Sequence, residues 1–272
     1  MESIPGCVGF GISRMGIDGC VIEREDRGKV AVIRLAREPV NAMDVEFLEA
    51  IWKEIRELPG GVARAAVITG AGNTFSAGVD LGRLLGGGQH YVHNFLPLLS
   101  RVFEALFTCP LPVVAAVNGD AFTGGCVLAC CADRRLMADG DGRIGVRALK
   151  VGLPMPRIAL EILKFAVGET TATKLMLGAE THLPREAARY GLIDEVVGPT
   201  ELLDRAVDEA TRMAEEVPAD TFNVTKSQLH RDTVERIDRY SRDEDLIAQR
   251  LWVEHQVDGW VARFVESKSE TG

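Results

Sequence analysis

Two stretches combine residue types and spacing that can do chemistry: Phe75-Ser-Ala-Gly-Val-Asp-Leu81 and Ala115-Ala-Val-Asn-Gly-Asp-Ala-Phe-Thr-Gly-Gly-Cys-Val-Leu-Ala129. Each follows an apolar, β-branched run (66–69 and 113–117) and bends at glycine, where backbone N–H groups come free of a strand ladder. Two such N–H groups aimed at one point form an oxyanion hole, able to polarise a thioester carbonyl and to hold the enolate or oxyanion that forms from it. The side chains next to the second turn are Cys126, Val127 and Leu128. None of them moves a proton at neutral pH, so the turns supply polarisation without an evident acid or base.

The rest of the composition bounds the chemistry. The 272 residues suffice for one large domain or two small ones, and 46% apolar content fills a core. A net charge of −9 argues against nucleic-acid binding, which needs clustered Lys and Arg on phosphates. No apolar run reaches the roughly 18 residues of a membrane span, and the opening residues lack the basic and apolar regions of a secretion signal. The cysteines are Cys7, Cys20, Cys109, Cys126, Cys130 and Cys131. Reduced thiols and a cytoplasmic location fit them best. Cys126, Cys130 and Cys131 lack the second ligand pair of a zinc site and read as small buried apolar residues; no metal is expected.

The elements that must position the turns are legible as patterns. Residues 1–19 are Gly-rich and aperiodic and read as a flexible tail. Alternating runs at 21–24 and 30–35 form a hairpin. Asp44 N-caps a helix with Phe47, Leu48, Ile51, Ile55 and Leu58 on one face, ended by Pro59-Gly-Gly61. Strands are expected over 65–69, 113–117, 135–138 and 192–197, and a mobile loop over 82–88 with its four glycines. The helix from Phe95 to Leu106 must carry Pro97 in its first turn or kink there. Helices follow at 124–132, 155–167, 170–177 and from Pro184 to Gly191. From Thr200 the chain is almost wholly helical, with separate helices after Pro218 and after Ser241. The last of these carries more apolar surface than a lone terminal helix can bury, which suggests a subunit interface. The repeated strand, turn and helix give an α/β class.

The ordered motifs match a family. From about Cys20 to the C-terminus the chain resembles the crotonase superfamily, the enoyl-CoA hydratase/isomerase group. The matching pieces are Pro39-Val-Asn-Ala-Met43, 75–81, Pro112-Val-Val-Ala-Ala-Val-Asn-Gly119 and Gly124-Gly-Cys126. Beyond them come Cys131-Ala-Asp133, Val151-Gly152, Ala187-Ala-Arg-Tyr-Gly-Leu-Ile-Asp-Glu-Val-Val197 and Asn223-Val-Thr-Lys226. One glycine turn alone is weak; the ordered set over some two hundred residues is specific.

The resemblance implies a spiral of ββα units over 20–200 and a helical region over 201–272 that builds homotrimers or dimers of trimers. It implies an acyl-CoA or enoyl-CoA thioester as ligand and no cofactor, coenzyme A being part of the substrate. The oxyanion hole falls on the backbone N–H groups of Val79 and Gly124, with Gly125 opening the helix beyond. Coenzyme A contacts fall around Ala77, Val79 and Asp80. A lysine that commonly meets its phosphates is replaced by Gly82, so Arg83, Arg37 or Lys268 stands in. Asp133 corresponds to a structural aspartate.

The chain also departs from the family. Hydratases need two carboxylates, because water loses a proton on one side while the α-carbon gains one. The resemblance puts them at Val127 and Ala148, and the isomerases' shifted acid near Met155 and Pro156; all four are apolar. The remaining weak candidates are Asp120, in the second turn, and Glu161, on the helix after Pro156. Arg147 and Lys150 flank Ala148 and suit a carboxylate or phosphate, while His90 and His93 follow the glycine loop. Three functions remain open: hydratase or isomerase with another proton carrier, non-catalytic acyl-CoA carrier or sensor, or an enzyme of altered chemistry such as a decarboxylase.

Overall fold

The computed structural model describes residues 21–269, with side chains described through residue 267. The expected tail over 1–19, and with it Cys7 and Cys20, lies outside the described residues. The hairpin β1 (Ile22–Arg27) and β2 (Val30–Leu35) is antiparallel, turning at Gly28 with φ 62°. Beside β2 come β4 (Ala65–Gly70), β7 (Val113–Val117), β9 (Arg134–Ala138) and β12 (Glu195–Val197), each parallel to the one before. β4 and β7 are buried along their whole length, which is why they read as unbroken apolar runs and not as alternation.

After each long strand the chain bends and adds a short strand to a second layer. β5 (Thr74–Ser76), β8 (Asp120–Phe122), β10 (Ile144–Gly145) and β11 (Thr181–His182) form a four-stranded sheet. β3 (Ala42–Met43) pairs with β6 (Gly78–Val79). A helix then closes each unit: α1 (Val45–Glu57), α2 (Leu81–Phe107), α3 (Gly124–Cys130) and α4 (Ala148–Val151). This is the expected α/β spiral of ββα units. Helices α5 (Arg157–Val167), α6 (Glu169–Gly178) and α7 (Pro184–Arg189) follow. α8 (Leu202–Glu215), α9 (Ala219–Val257) and α10 (Trp260–Ser269) complete the helical C-terminal region.

The main core lies between the strands and helices α1, α2, α3 and α5, with Phe47, Phe75, Phe95, Phe103 and Phe107 at its centre. A smaller core joins the other face of the large sheet to Leu202, Ala206 and Ala210 of α8.

Two expectations about elements are corrected. Residues 82–88 are not a loop: α2 starts at Leu81, capped by the Asp80 carboxylate, which accepts from the Arg83 N–H at 2.9 Å. Leu84 is fully buried and anchors this first segment, and the only non-helical residue inside α2 is Gly88 (φ 62°). Pro97 therefore sits well inside the second segment, with buried Leu96, Leu98 and Leu99 around it, instead of in a first turn. The second correction concerns Ser241, which does not start a new helix. No Gly or Pro follows Pro218 until Gly259, so α9 runs 39 residues and breaks only there, at φ 78°. The expected strand over 192–197 is shortened to its last three residues, because Leu192 and Ile193 are buried in the main core instead.

Candidate active site

The first glycine turn is bracketed by the segment 39–43. Asn41, at φ 52°, donates from Nδ2 to the carbonyls of Thr74 (2.8 Å) and Phe75 (3.2 Å). The Ser76 hydroxyl donates to the Asn41 carbonyl at 2.7 Å and accepts from the Gly78 N–H at 3.2 Å. Ala77 and Asp80 N–H groups bond the carbonyls of Val40 and Met43. The second turn is held likewise. Asn118 Oδ1 accepts from the Gly70 N–H (2.8 Å) and its Nδ2 donates to the Gly72 carbonyl (2.9 Å).

The two turns press against each other. A Cβ on Gly78 (φ 84°) would stand 2.6 Å from the Phe122 carbonyl oxygen and 3.3 Å from the Gly124 nitrogen; one on Gly125 would stand 2.4 Å from the Ser76 carbonyl oxygen. Glycine is therefore required for close approach as well as for backbone freedom. Helix α3 starts at Gly124, as the sequence predicts. Its hydrogen-bond ladder begins with the Val127 N–H on the Thr123 carbonyl (3.0 Å), so the N–H groups of Gly124, Gly125 and Cys126 precede it.

A cavity opens beside this junction. Ala77, Val79, Thr123 and Gly124 line it, together with Ala148, Val151, Leu153, Met155 and Pro156. Leu99 and Phe103 of α2 line it too, and Trp252 of α9 and Phe264 of α10 complete it. The Trp252 indole N–H is already bonded to the Pro154 carbonyl at 2.7 Å. Among the described residues no carboxylate lies on this wall, and Arg147 is its one charged side chain. The Arg147 guanidinium lies over the Phe122 ring at 3.9 Å from the centroid, and its backbone N–H donates to the Thr123 hydroxyl at 3.2 Å. Burial lowers its pKa; the field of Asp120 raises it and that of Arg143 lowers it.

Ala148 and Val127 part company here. Ala148 faces the cavity, whereas Val127 is wholly buried in the main core and is absent from the cavity lining. Neither weak acid candidate reaches the cavity lining. Asp120 accepts from the Arg143 N–H at 2.8 Å, fixing the second turn. Glu161 is fully buried and held by Arg157 (2.6 Å) and Arg236 (2.6 Å). Burial draws its pKa up, but the Arg236 hydrogen bond and the fields of Arg157, Lys164 and Arg236 bring it below the usual carboxylate value. A carboxylate so held is a structural counter-ion. His90 and His93 are exposed on α2, and His90 Nε2 contacts Asn94 Nδ2 at 3.1 Å.

The residues expected around coenzyme A divide. Ala77 and Val79 line the cavity, and Asp80 caps α2. Arg83, at the surface, pairs with Glu46 at 2.5 Å, and Arg37 pairs with the buried N-cap Asp44. The Lys268 side chain lies outside the described residues. Cys126, Cys130 and Cys131 are buried, and burial pushes the Cys131 thiol well up. Among the described residues no cluster of His, Cys, Asp or Glu could hold a metal ion, and no helix is long and apolar enough to cross a membrane.

Sequence reading missed the far walls. Trp252 and Phe264 were legible only as surplus apolar surface on the C-terminal helices. Two motifs 93 residues apart also meet: the Lys226 ammonium bonds Asp133 Oδ2 at 2.9 Å, and the same oxygen accepts from the Val113 N–H at 2.8 Å.

The sequence profile described as Enoyl-CoA hydratase/isomerase matches residues 25–270. A crotonyl-CoA hydratase of Syntrophomonas wolfei is 31% identical over 202 residues, covering 73% of this chain and 76% of its own. The short-chain-enoyl-CoA hydratase of Clostridium acetobutylicum is 29% identical over 262 residues, covering 95% and 98%. Among solved structures, the human mitochondrial delta3-delta2-enoyl-CoA isomerase superposes with a TM-score of 0.86 over 93% of this chain and 100% of its own. At 24% identity that likeness speaks for the fold.

Proposed function

The chain belongs to the enoyl-CoA hydratase/isomerase family, and from that premise we propose that it binds a fatty acyl- or enoyl-CoA thioester with the carbonyl oxygen between the N–H groups of Val79 and Gly124. The observation that carries this reading is the junction of the two turns, where a Cβ on Gly78 would stand 3.3 Å from the Gly124 nitrogen and where Val79 and Gly124 line one apolar cavity. The start of α3 adds its unsatisfied N–H groups and dipole to the pull on a developing oxyanion. Coenzyme A is part of this substrate, and no separate cofactor is invoked.

In this reading the proton-transfer half of the family's chemistry is weak or altered. Val127 and Ala148 stand where the two hydratase glutamates are expected, and no carboxylate lines the cavity. General acid–base groups contribute about 10² to 10⁴-fold each. Efficient hydration is therefore disfavoured. A reaction driven by enolate stabilisation alone, such as a decarboxylation, or non-catalytic carriage of the thioester, agrees better with this wall. The protein is read as cytoplasmic, with residues 201–272 mediating assembly as a homotrimer or dimer of trimers. Exposed Leu246, Ile247, Val257 and Trp260 support that assembly.

The deciding experiment pairs acyl-CoA binding with turnover of crotonyl-CoA. The expected result is binding with hydration far below that of a two-glutamate relative; turnover as fast as such a relative refutes the reading. Ala148→Glu, at the one of these two positions that lines the cavity, should then create or raise hydration in protein that folds and binds.

A further inference from the structure

Arg147 is an anomaly in its surroundings. A cation on the wall of an apolar cavity loses hydration and normally gains a carboxylate in return. Among the described residues no carboxylate comes within 4 Å of this guanidinium, although Asp120 acts on it from farther away. Its neighbour Arg143 adds a like charge and is itself committed, donating to the Thr181 hydroxyl (2.9 Å) and carbonyl. What fixes Arg147 is Phe122 beneath it and the Thr123 hydroxyl at its backbone N–H. Both belong to the turn that presents Gly124. The planar group is thus oriented beside the reacting end of the cavity with its donor edge uncommitted to any acid.

We propose that Arg147 is the specificity residue for a carboxylate carried on the acyl group, so that the preferred ligand is a short carboxyacyl thioester and not a plain fatty one. This rests on the thioester reading above. The placement bounds the length: the guanidinium lies 3.9 Å from the centroid of Phe122, two residues before Gly124 in the same turn, so a short acyl chain brings a carboxylate to it. A bidentate pair with the guanidinium supplies the partner that the wall lacks. A neutral acyl chain offers the half-buried guanidinium no such partner and leaves it to the polar pocket that it also borders beside Glu180 and Glu186. The anionic phosphates of coenzyme A are the competing source of the same chemistry, and the test separates them.

The experiment measures binding of glutaryl-CoA, valeryl-CoA and free CoA to the full chain by calorimetry, with Arg147→Met and Arg147→Lys beside the native protein. The native protein should bind glutaryl-CoA at least about tenfold tighter than valeryl-CoA, the factor that about 1.4 kcal/mol of charge-assisted bonding gives. Arg147→Met should erase that preference, bringing the ratio of the two affinities to about one, and Arg147→Lys should keep part of it. Equal affinities in the native protein overturn the proposal even if a variant fails to fold. Parallel losses for glutaryl-CoA, valeryl-CoA and free CoA assign Arg147 to the phosphates and overturn it as well. Failure of the native protein to bind any of the three removes the thioester reading itself, a result distinct from binding without preference.

Discussion

The glycine turns and the helices that wall the far side of the cavity keep their shapes by different means. At the turns the fixing contacts involve backbone: Asn41, Ser76 and Asn118 bond main-chain groups, and Gly78 and Gly125 let carbonyls approach where no side chain fits. At the far side the helices are fixed by side chains, several of them titratable. Lys226 and His230 of α9 bond Asp133 and stack on Phe107, the ring centroids of the latter pair 3.9 Å apart. The turns thus depend on their glycines and on a few, mostly neutral, side chains that bond main chain, whereas the helices opposite depend on ionisable and aromatic side chains and respond to single changes among them.

The strongest way to break that contrast is Gly125→Ala. A Cβ 2.4 Å from the Ser76 carbonyl must push the turns apart, so a loss of about 3 kcal/mol or more is expected in denaturant unfolding, together with acyl-CoA binding. Native-like stability would show that the turns are not close-packed in the manner described.

Acid should act on the helical side. Burial first, then the charge of Lys226, hold His230 at about 4, below its ordinary 6.5. The folded state thus binds fewer protons there than the unfolded chain. Its stabilisation is complete above pH 6.5 and is lost as pH falls from 6.5 through 4, by about 3 kcal/mol over the window. Asp133, raised by burial against the pull of Lys226 and the Val113 N–H, works in the opposite sense, its contribution lost as pH rises from the ordinary 3.8 through the raised value. The two are separated by comparing the native protein with His230→Phe, whose unfolding free energy should lack the decline between pH 6.5 and 4. Identical profiles would rule out His230 as the source.

Lys226→Met is expected to cost about 2 kcal/mol by stranding Asp133, and to let the His230 imidazole titrate closer to 6.5, an NMR observable. An unchanged imidazole titration would contradict the coupling between these groups. At the small end, Arg83→Ala removes a surface pair with Glu46 and should change stability by less than about 1 kcal/mol. A larger loss would mean that surface ion pairs also brace the turn side, blurring the contrast.

Much of this was legible in the residues. The hairpin, α1 with its Asp44 cap, the buried strands and both glycine turns follow from alternation, capping and glycine placement, all of which act within a few residues. What was illegible depended on distant partners. Residues 82–88 looked like a loop because glycine lowers helix propensity, yet Leu84 in the core and the Asp80 cap outweigh it. Trp252 and Phe264 reach the cavity only through the packing of α9 and α10, which no local pattern encodes. Val127 and Ala148 read as equivalent apolar positions, but only Ala148 faces the cavity.

Helix α10 follows the break at Gly259, and Trp260 packs so closely on Gly152 that a Cβ there would stand 2.5 Å from the indole. Phe264, four residues on, shares a cavity with Ala77. During synthesis the turns are made long before these residues, so the cavity lining stays unfinished until α10 has joined the fold. Shortening the protein at Gly259 would therefore be felt at the opposite end of the chain's order, beside Ala77.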